Sequence, residues 1–251
     1  MRRLSWLLAA VVTTVGLSAC GGGGGPAAAP ADPVAVTSTA SSPAAPPTSI
    51  DTSGALVART TSPLAVFADP SATQATHVLP ATTSFGSARA LLVTEERGEW
   101  LQVALPVRPN GSTGWVHRAD VTVRATDLHI DVDLTAKTLT VRDGDAIVLT
   151  TPVAIGAADV PTPTGRFFVV DKLATGAPDG PYGPFALGLS AHSDVLTEFG
   201  GGDGQVGIHG TNNPSSIGKA VSHGCIRVPN PVTQQLNDLI PLGTPVNILA
   251  S

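Results

Sequence analysis

Residues 207–227 read GIHGTNNPSSIGKAVSHGCIR, which brings His209 and His223 close in sequence to the thiol of Cys225. A free thiol is only about a few per cent ionised at neutral pH, so a cysteine nucleophile needs an imidazole nearby to accept its proton. A histidine that merely satisfies hydrogen bonds in a loop is the simpler interpretation of a single His. Two His, one Cys and several Gly in one short stretch instead predict a thiol-based active site, in which either histidine could be the base.

A zinc site is the chemical alternative, because His and Cys are also the ligands that zinc prefers. The spacing of His209, His223 and Cys225 resembles none of the common short zinc patterns, and no further Cys or acidic cluster lies nearby to complete a shell. The spacing therefore does not favour a zinc site.

The composition predicts a mainly β protein. Aromatic residues make up 4% and charged residues 13% of the sequence, whereas Gly and Pro number 27 and 22; this favours short strands and many turns over long helices. Asp143-Gly144-Asp145 is a hairpin signal between strands at Thr138–Arg142 and Ala146–Leu149. Only Val232–Ile240 reads as a clear helix, and Pro245–Leu249 predicts a last strand.

The N-terminus predicts export. Arg2 and Arg3 precede an apolar run, Leu4–Leu17, that is too short to span a bilayer comfortably. The run ends in Leu17-Ser18-Ala19-Cys20, which resembles the bacterial lipobox; the resemblance implies that residues 1–19 are a lipoprotein signal peptide and that Cys20 is lipidated. A plain signal peptide, with an idle thiol at Cys20, is the alternative. We expect a cell-envelope protein anchored by lipid on the extracytoplasmic side of a membrane.

The expected use of the two cysteines depends on this assignment. An even number of cysteines in an exported protein usually indicates a disulfide. Lipidation occupies Cys20, however, and leaves Cys225 as a free thiol outside the cytoplasm, where an idle thiol is an oxidation hazard. This supports a chemical task for Cys225.

Residues 20–53 begin with the Cys that is expected to be lipidated. The rest of this segment is almost entirely Gly, Ala, Pro, Ser and Thr, which predicts a disordered tether. Extended at ~3.1 Å per residue, the tether would reach on the order of 90 Å. The formal net charge of the chain is −5; without Arg2 and Arg3 it is 12 − 19 = −7. This charge excludes the basic footprint of a nucleic-acid-binding protein.

Residues 54–124 carry short alternating apolar runs separated by Gly, Pro and Asn turns. Gly98-Glu99-Trp100-Leu101-Gln102-Val103 and Gly114-Trp115-Val116 resemble paired strands of bacterial SH3-like domains, and the resemblance implies a small β-barrel. In so small a barrel Trp100 and Trp115 are expected to fill the core rather than to form a ligand platform. The domain could bind wall peptide or glycan, or only space and orient the C-terminal half of the chain.

Residues 125–251 resemble the YkuD-type L,D-transpeptidases, whose signature is a His followed at this spacing by Ser/Thr-His-Gly-Cys. Thr162-Pro163-Thr164-Gly165-Arg166-Phe167 and Tyr182-Gly183-Pro184-Phe185-Ala186-Leu187 extend the resemblance upstream. It implies a YkuD-type β-sandwich with one C-terminal helix after the SH3-like barrel. The glycine-rich segment 176–204 resembles the flap over the substrate cleft and is predicted to be a long loop.

The resemblance implies a role for each matching residue. Cys225 corresponds to the nucleophile and His209 to the general base, with the Gly210 carbonyl in the position that orients the base. His223 and Gly224 would line the catalytic pocket, where backbone N–H groups near Gly224 and Cys225 form the oxyanion hole.

Four further positions are predicted to bind substrate: Tyr182, Ser222, Arg227 and Asn230. Arg227 could bind a substrate carboxylate or only fix its loop by charge-assisted hydrogen bonds.

The reaction that the resemblance implies is peptidoglycan crosslinking, with no metal and no diffusible cofactor. Cys225 would attack the carbonyl that joins the third residue of a stem tetrapeptide to its terminal D-Ala, and an amine of a second stem would attack the resulting thioester, giving a 3→3 crosslink. Water as acceptor would make the same site a carboxypeptidase or amide hydrolase, and a non-catalytic wall-binding lipoprotein is the alternative from another class. Peptidoglycan stem peptides and a membrane are the expected partners, nucleic acid is not, and carbapenems are expected to acylate the thiol.

Overall fold

The computed structural model describes residues 54–250. The predicted signal peptide, the lipidated Cys20 and the tether lie outside this range. The described part is mainly β, as predicted, and contains one α-helix. None of its helices is long and apolar enough to cross a membrane.

The N-terminal strands lie within residues 55–126. Five form an antiparallel sheet in the order β6-β5-β4-β1-β7, and β2 pairs with β3 beside it. Their bounds are β1 Ala55–Arg59, β2 Leu64–Val66, β3 His77–Leu79, β4 Ala90–Arg97, β5 Trp100–Ala104, β6 Thr113–His117 and β7 Thr122–Thr126. A 3₁₀ turn at Arg118–Asp120 separates β6 from β7. The SH3-like assignment and its limits at residues 54 and 124 stay predictions.

The two tryptophans of this sheet differ in burial. Trp115 is buried, so the prediction that it fills the core is confirmed. Trp100 is half-buried and meets the ring of Phe67 edge-on, with 5.2 Å between the ring centroids. The apolar interior beneath these rings includes Leu64 and Leu101.

The remaining strands form an eight-stranded curled sheet in the order β10-β9-β8-β17-β12-β13-β14-β16, and β11 and β15 form a separate short pair. Helix α1, Asn230–Leu239, packs against β13. The strand bounds are β8 Leu128–Asp133, β9 Thr138–Asp143, β10 Ala146–Pro152, β11 Ile155–Gly156, β12 Gly165–Ala174, β13 Phe185–His192, β14 Gln205–His209, β15 Ala220–Ser222, β16 Ile226–Arg227 and β17 Pro245–Leu249.

The prediction of one long loop over residues 176–204 is wrong, because β13 runs through its middle. Leu187, Leu189 and Ala191 are all buried on one face of that strand and show the period of two that a strand requires. The many glycines around them conceal the pattern in the sequence. Two loops remain, one before β13 and one after it.

Strand β12 joins the two halves of the described structure, because it is buried on both faces. Phe167 and Val169 belong to the core of the eight-stranded sheet. Phe168 and Val170 belong instead to the core of the N-terminal sheet. Successive strand residues point to opposite faces, so one unbroken apolar run supplies both cores and fixes the N-terminal sheet against the C-terminal one.

Polar contacts add to this packing at the loop before β6. Arg108 donates to three carbonyls of the loop after β13, those of Ser193 at 2.7 Å and of Leu196 and Asp203 at 2.8 Å each. Asn110 donates to the His192 carbonyl at 2.7 Å and accepts from the His192 N–H at 2.9 Å. The N-terminal half therefore holds both ends of residues 193–204, which we call the Phe199 loop.

Candidate active site

The turn that carries Cys225 lies between β15 and β16 and is fixed from within. The Ser222 hydroxyl donates to the Cys225 carbonyl at 2.5 Å and accepts from the Gly224 N–H at 3.2 Å. Gly224 has φ +103, a conformation that residues with a Cβ rarely adopt. Ser222, which was predicted to bind substrate, thus uses its hydroxyl for two hydrogen bonds within the turn. One of them comes from the Gly224 N–H, which was predicted to serve the oxyanion hole.

Thr162 anchors this turn from outside. Its buried hydroxyl donates to the Gly224 carbonyl at 2.9 Å and accepts from the Gly156 N–H at 2.9 Å. Thr162 belongs to the segment that extends the YkuD resemblance upstream, but its contact with the Cys225 turn was not predicted. Buried polar groups that are satisfied in this way make a site rigid.

His209 is the last residue of β14 and is 5% exposed. Its Nδ1 atom lies 2.6 Å from the Gly210 carbonyl oxygen, so the proton of the neutral ring is on Nδ1 and Nε2 carries the lone pair. Burial lowers the pKa of His209 to about 4; the Gly210 carbonyl opposes this shift, and the positive charge of Arg227 adds to it. At neutral pH the ring is therefore uncharged and able to accept a proton at Nε2.

Cys225 is a free, half-buried thiol. Burial raises its pKa, while a hydrogen bond from the Gly207 backbone and the charge of Arg227 act in the opposite direction. The pair of Cys225 and His209 is consequently a neutral thiol and a neutral imidazole at pH 7. The thiol proton is still on Cys225 in this resting state, so it has to pass to His209 as the sulfur attacks.

Arg227 lies beside both groups because of strand pairing. The parallel register of β14 and β16 places Arg227 opposite His209. Its backbone N–H and carbonyl bond Ala154 at 2.8 and 2.9 Å. Its buried Nε atom has no hydrogen-bond partner among residues 54–250. The backbone of Arg227 is thus fixed by the fold, whereas its side chain keeps an unused donor.

Tyr182 covers His209. The two ring centroids are 4.7 Å apart at an interplanar angle of 59°, and the tyrosine is 43% exposed. Burial on its inner side raises the pKa of Tyr182, with the nearby Cys225 adding to the shift and Arg227 opposing it. The predicted substrate-binding Tyr182 therefore lies at the solvent side of the imidazole.

Asn230 starts helix α1 and holds the backbone around the site. Its Oδ1 atom accepts from the Thr211 N–H at 2.7 Å, and its Nδ2 atom donates to the Pro178 carbonyl at 3.3 Å. A Cβ at Gly210 or Gly183 would lie 2.3 or 2.5 Å from that Oδ1 atom, so both glycines are required for the close approach. Asn230 therefore positions the backbone around the site. The substrate contact predicted for it stays a prediction.

His223 points away from the base and towards the Phe199 loop. It is exposed and stacks on Phe199 with ring centroids 5.2 Å apart at 29°. Of the two candidate bases in the sequence, the structure buries His209 and leaves His223 at the surface.

A cleft of about 940 Å³ connects these groups. Of the residues predicted to form the site, Tyr182, His209 and Cys225 line it. The other predicted residues do not line the cleft and lie next to residues that do. The lining also includes Phe199 and Gly207, which sequence reasoning did not select. Among residues 54–250 no group of three or more His, Cys, Asp or Glu side chains is arranged to hold a metal ion.

The arrangement defines a class of protein: a β protein in which a thiol and an uncharged, hydrogen-bonded imidazole line one cleft. Residues 127–248 match the family model of the YkuD L,D-transpeptidase catalytic domain. This part of the chain therefore belongs to the YkuD family of L,D-transpeptidase catalytic domains.

Curated relatives agree with this assignment. The chain is 42% identical over 120 residues to "Putative L,D-transpeptidase YkuD" of Bacillus subtilis (strain 168), which covers 48% of this chain and 65% of that protein. It is 40% identical over 107 residues to "Putative L,D-transpeptidase YqjB" of the same organism, covering 38% and 56%. The chain thus spans less than two thirds of the length of each of these relatives.

Solved structures include an L,D-transpeptidase from Mycobacterium smegmatis with TM-score 0.41 and 16% identity, over 64% of this chain and 90% of that one. The L,D-transpeptidase LdtMt1 in complex with imipenem has TM-score 0.41 and 18% identity, over 64% and 90%.

Two kinds of residue escaped sequence reasoning. Gly207 stands two positions before His209 on the same strand, and that spacing is a signal that could have selected it. Thr83, Ser84 and Phe85 also line the cleft, but they lie in the N-terminal half. No local pattern connects them with Cys225, because the contact depends on how the two sheets pack.

Proposed function

We propose that this protein is a peptidoglycan L,D-transpeptidase that forms 3→3 crosslinks through an acyl-thioester on Cys225. The observation that carries the proposal is that the Cys225 thiol and His209 line one cleft, with the Nδ1 atom of His209 held by the Gly210 carbonyl at 2.6 Å. That hydrogen bond leaves the Nε2 lone pair available in a cleft that both residues line. The family of residues 127–248 supports the same chemistry.

The first half-reaction releases D-Ala. The sulfur of Cys225 attacks the carbonyl carbon that joins the third stem residue to D-Ala, and Nε2 of His209 takes the thiol proton. When the tetrahedral intermediate collapses, the C–N bond breaks and the imidazolium gives that proton to the leaving amine. The products are free D-Ala and a thioester between Cys225 and the third residue.

The second half-reaction makes the crosslink. The side-chain amine of the third residue of another stem attacks the thioester carbonyl and loses a proton to His209. The C–S bond then breaks, and the proton returns to the sulfur. The positive charge of Arg227, which acts on both His209 and Cys225, attracts a carboxylate of a stem peptide towards the site.

The test uses the purified chain and a disaccharide-tetrapeptide. Intact-mass measurement should show an adduct lighter by D-Ala than the bound substrate, and product analysis should show a crosslinked dimer. Cys225→Ala should give neither. The matched control is Cys20→Ala, which removes the other cysteine of the chain and should keep both.

Other products would identify other functions. Tripeptide without dimer would mean that water is the acceptor and the protein is a hydrolase. No adduct and no product from the unchanged protein would contradict catalysis and favour a wall-binding lipoprotein.

Carbapenems provide a second test of the same thiol. Their strained ring presents an electrophilic carbonyl, and attack by Cys225 should open the ring and add the whole mass of the drug to the protein. The adduct should be absent from Cys225→Ala and unchanged in Cys20→Ala. An unaltered mass of the native protein after incubation would count against a competent nucleophile.

The proposed location is the cell envelope, with the chain anchored through lipid on Cys20 to the extracytoplasmic side of a membrane. The lipobox-like Leu17-Ser18-Ala19-Cys20 supports it. In membrane fractionation, Cys20→Ala should move the protein from the membrane pellet to the soluble fraction. A protein that stays equally bound would contradict a lipid anchor at this residue.

A further inference from the structure

The N-terminal half contributes one wall of the catalytic cleft. Thr83, Ser84, Phe85 and Arg89 line the same cavity as Cys225 and His209. Phe85 is 60% exposed, which is unusual for a phenylalanine. The turn at residues 83–87, which we call the Phe85 turn, therefore presents an aromatic ring to any molecule that occupies the cleft.

The Phe85 turn is fixed to the catalytic half. Within the turn, the Thr83 N–H bonds the Ser87 carbonyl at 2.9 Å, and Gly86 has φ +83. Across to β12, the Thr83 hydroxyl donates to Asp171 Oδ1 at 2.5 Å, and the Lys172 N–H donates to the Ser87 hydroxyl at 3.4 Å. A surface that is held in place before the ligand arrives loses little entropy on binding.

The wall lies at a definite distance from the nucleophile. Asp171 pairs with Gly188 and Gly188 pairs with Gly207 across neighbouring strands, and the Gly207 backbone contacts the Cys225 sulfur. Two strand spacings of ~4.8 Å each put Asp171 about 10 Å from Gly207. An extended peptide covers that distance with about three residues at ~3.3 Å each.

Glycines stand at two positions of this path. A Cβ at Gly188 would lie 3.0 Å from the Asp171 Cβ, and one at Gly207 would lie 3.1 Å from the Leu187 carbonyl oxygen, so neither position has room for a side chain. Gly188 and Gly207 are paired neighbours, and both line the cleft that Cys225 and the Phe85 turn also line.

The chemistry of the wall favours a neutral occupant. The Arg89 guanidinium is buried and donates to the carbonyls of Pro80 and Thr82 at 3.1 Å each. Asp171 is likewise buried and bonded to Thr83. The wall exposes the Phe85 ring and the Ser84 hydroxyl, an apolar face beside a single hydroxyl, which suits a sugar ring better than a charged peptide group.

We propose that the Phe85 turn is a subsite for the sugar that carries the donor stem peptide. This proposal rests on the proposed function. With the third-residue carbonyl at Cys225, the first three residues of the stem lie between the thiol and the sugar and, extended at ~3.3 Å each, place the sugar about 10 Å away along the cleft. The CH face of the sugar packs on the Phe85 ring, and Ser84 is within the same wall for its hydroxyls.

The experiment compares two donors in single-turnover acylation of the full chain, followed by intact mass and without an acceptor stem. One donor is the disaccharide-tetrapeptide and the other is the free tetrapeptide. Phe85→Ala should lower the second-order rate constant for the disaccharide-tetrapeptide about ten-fold and leave that for the tetrapeptide unchanged. Phe85→Trp, which keeps an aromatic face, should stay within about two-fold of the native rate.

A matched control is Val78→Ala, which shortens another exposed apolar side chain of the N-terminal half, 64% exposed and not part of the cleft lining. It should change neither rate. Loss with both donors, or with neither, would overturn the subsite. The subsite would also be overturned if Phe85→Ala left acylation unchanged but gave less dimer when an acceptor is added, because the Phe85 turn would then bind the acceptor stem. No adduct from either donor on the native protein would instead remove the proposed function, and the subsite with it.

Discussion

His209→Gln should remove most of the acid sensitivity of folding that the active site causes. The pKa of His209 is lowered to about 4 by burial, whereas an unperturbed His titrates at about 6.5. Between these values the unfolded chain binds the proton and the folded chain does not. The contribution of His209 to the free energy of unfolding is therefore fully present above about pH 6.5 and is lost as the pH falls towards 4.

The magnitude comes from the two pKa values. At pH 4.5 the unfolded ring is almost fully protonated and the folded ring only partly, which gives a loss of about 2–3 kcal/mol relative to pH 7.5. Solvent screening takes little from this value, because the ring is 5% exposed. Other groups that respond to acid are present in both proteins and cancel in the comparison.

The assay is urea unfolding of native protein and His209→Gln at pH 7.5 and 4.5, with ΔG extrapolated to water. The native protein should lose about 2–3 kcal/mol more than the variant over this interval. His77→Gln removes an exposed imidazole of the N-terminal half and should keep the full acid response. Equal losses in the native protein and His209→Gln would refute the buried, neutral imidazole.

Three further substitutions test the surroundings of the thiol. Arg227→Gln should raise the pKa of Cys225 and slow its alkylation by iodoacetamide at pH 8 by roughly three- to ten-fold. Arg227→Lys keeps the charge and should keep the rate. An unchanged pH profile of alkylation in Arg227→Gln would exclude the charge effect. Asn230→Ala should cost about 1–3 kcal/mol in urea unfolding, because it leaves the Thr211 N–H unpaired; Asn230→Asp keeps the acceptor, so an equal loss would contradict this cause. Arg108→Ala should cost about 1–2 kcal/mol, discounted for solvent exposure, and speed amide exchange in the Phe199 loop. Arg108→Lys should recover part of the protection, and exchange as slow as in the native protein would show that these bonds do not hold the loop.

Local features of the fold could be predicted from the sequence, and long-range ones could not. The hairpin at Gly144 and the helix before Pro241 are specified by turn and helix-end signals that act within a few residues. Strand order in the eight-stranded sheet has no such signal, since β8 pairs with β17 at the other end of the domain. Likewise, the run Phe167–Val170 predicts a buried strand, but only the packed structure shows that its two faces serve different cores.

The candidate site shows the same division. The spacing of His209 and Cys225 indicated the reacting pair, because the chemistry needs those residue types together. The residue types alone left the choice of base open between two histidines; the structure buries His209 and exposes His223. The Phe85 turn was beyond prediction, because its place in the cleft depends on the bond between Thr83 and Asp171, whose positions are far apart in the chain.

The neutral resting state of the pair also limits unwanted reactions of the thiol. Oxidation and unwanted alkylation depend on the thiolate, and burial raises the pKa of Cys225, so little thiolate is present without substrate. Because His209 is also neutral, no ion pair stabilises the anion in advance. Reactivity then has to be produced by the bound substrate, which supplies the carbonyl that the sulfur attacks while Nε2 of His209 takes the proton. A cleft that binds both the stem peptide and its sugar would hold that carbonyl in place longest, and so would confine the reaction of Cys225 to its proper donor.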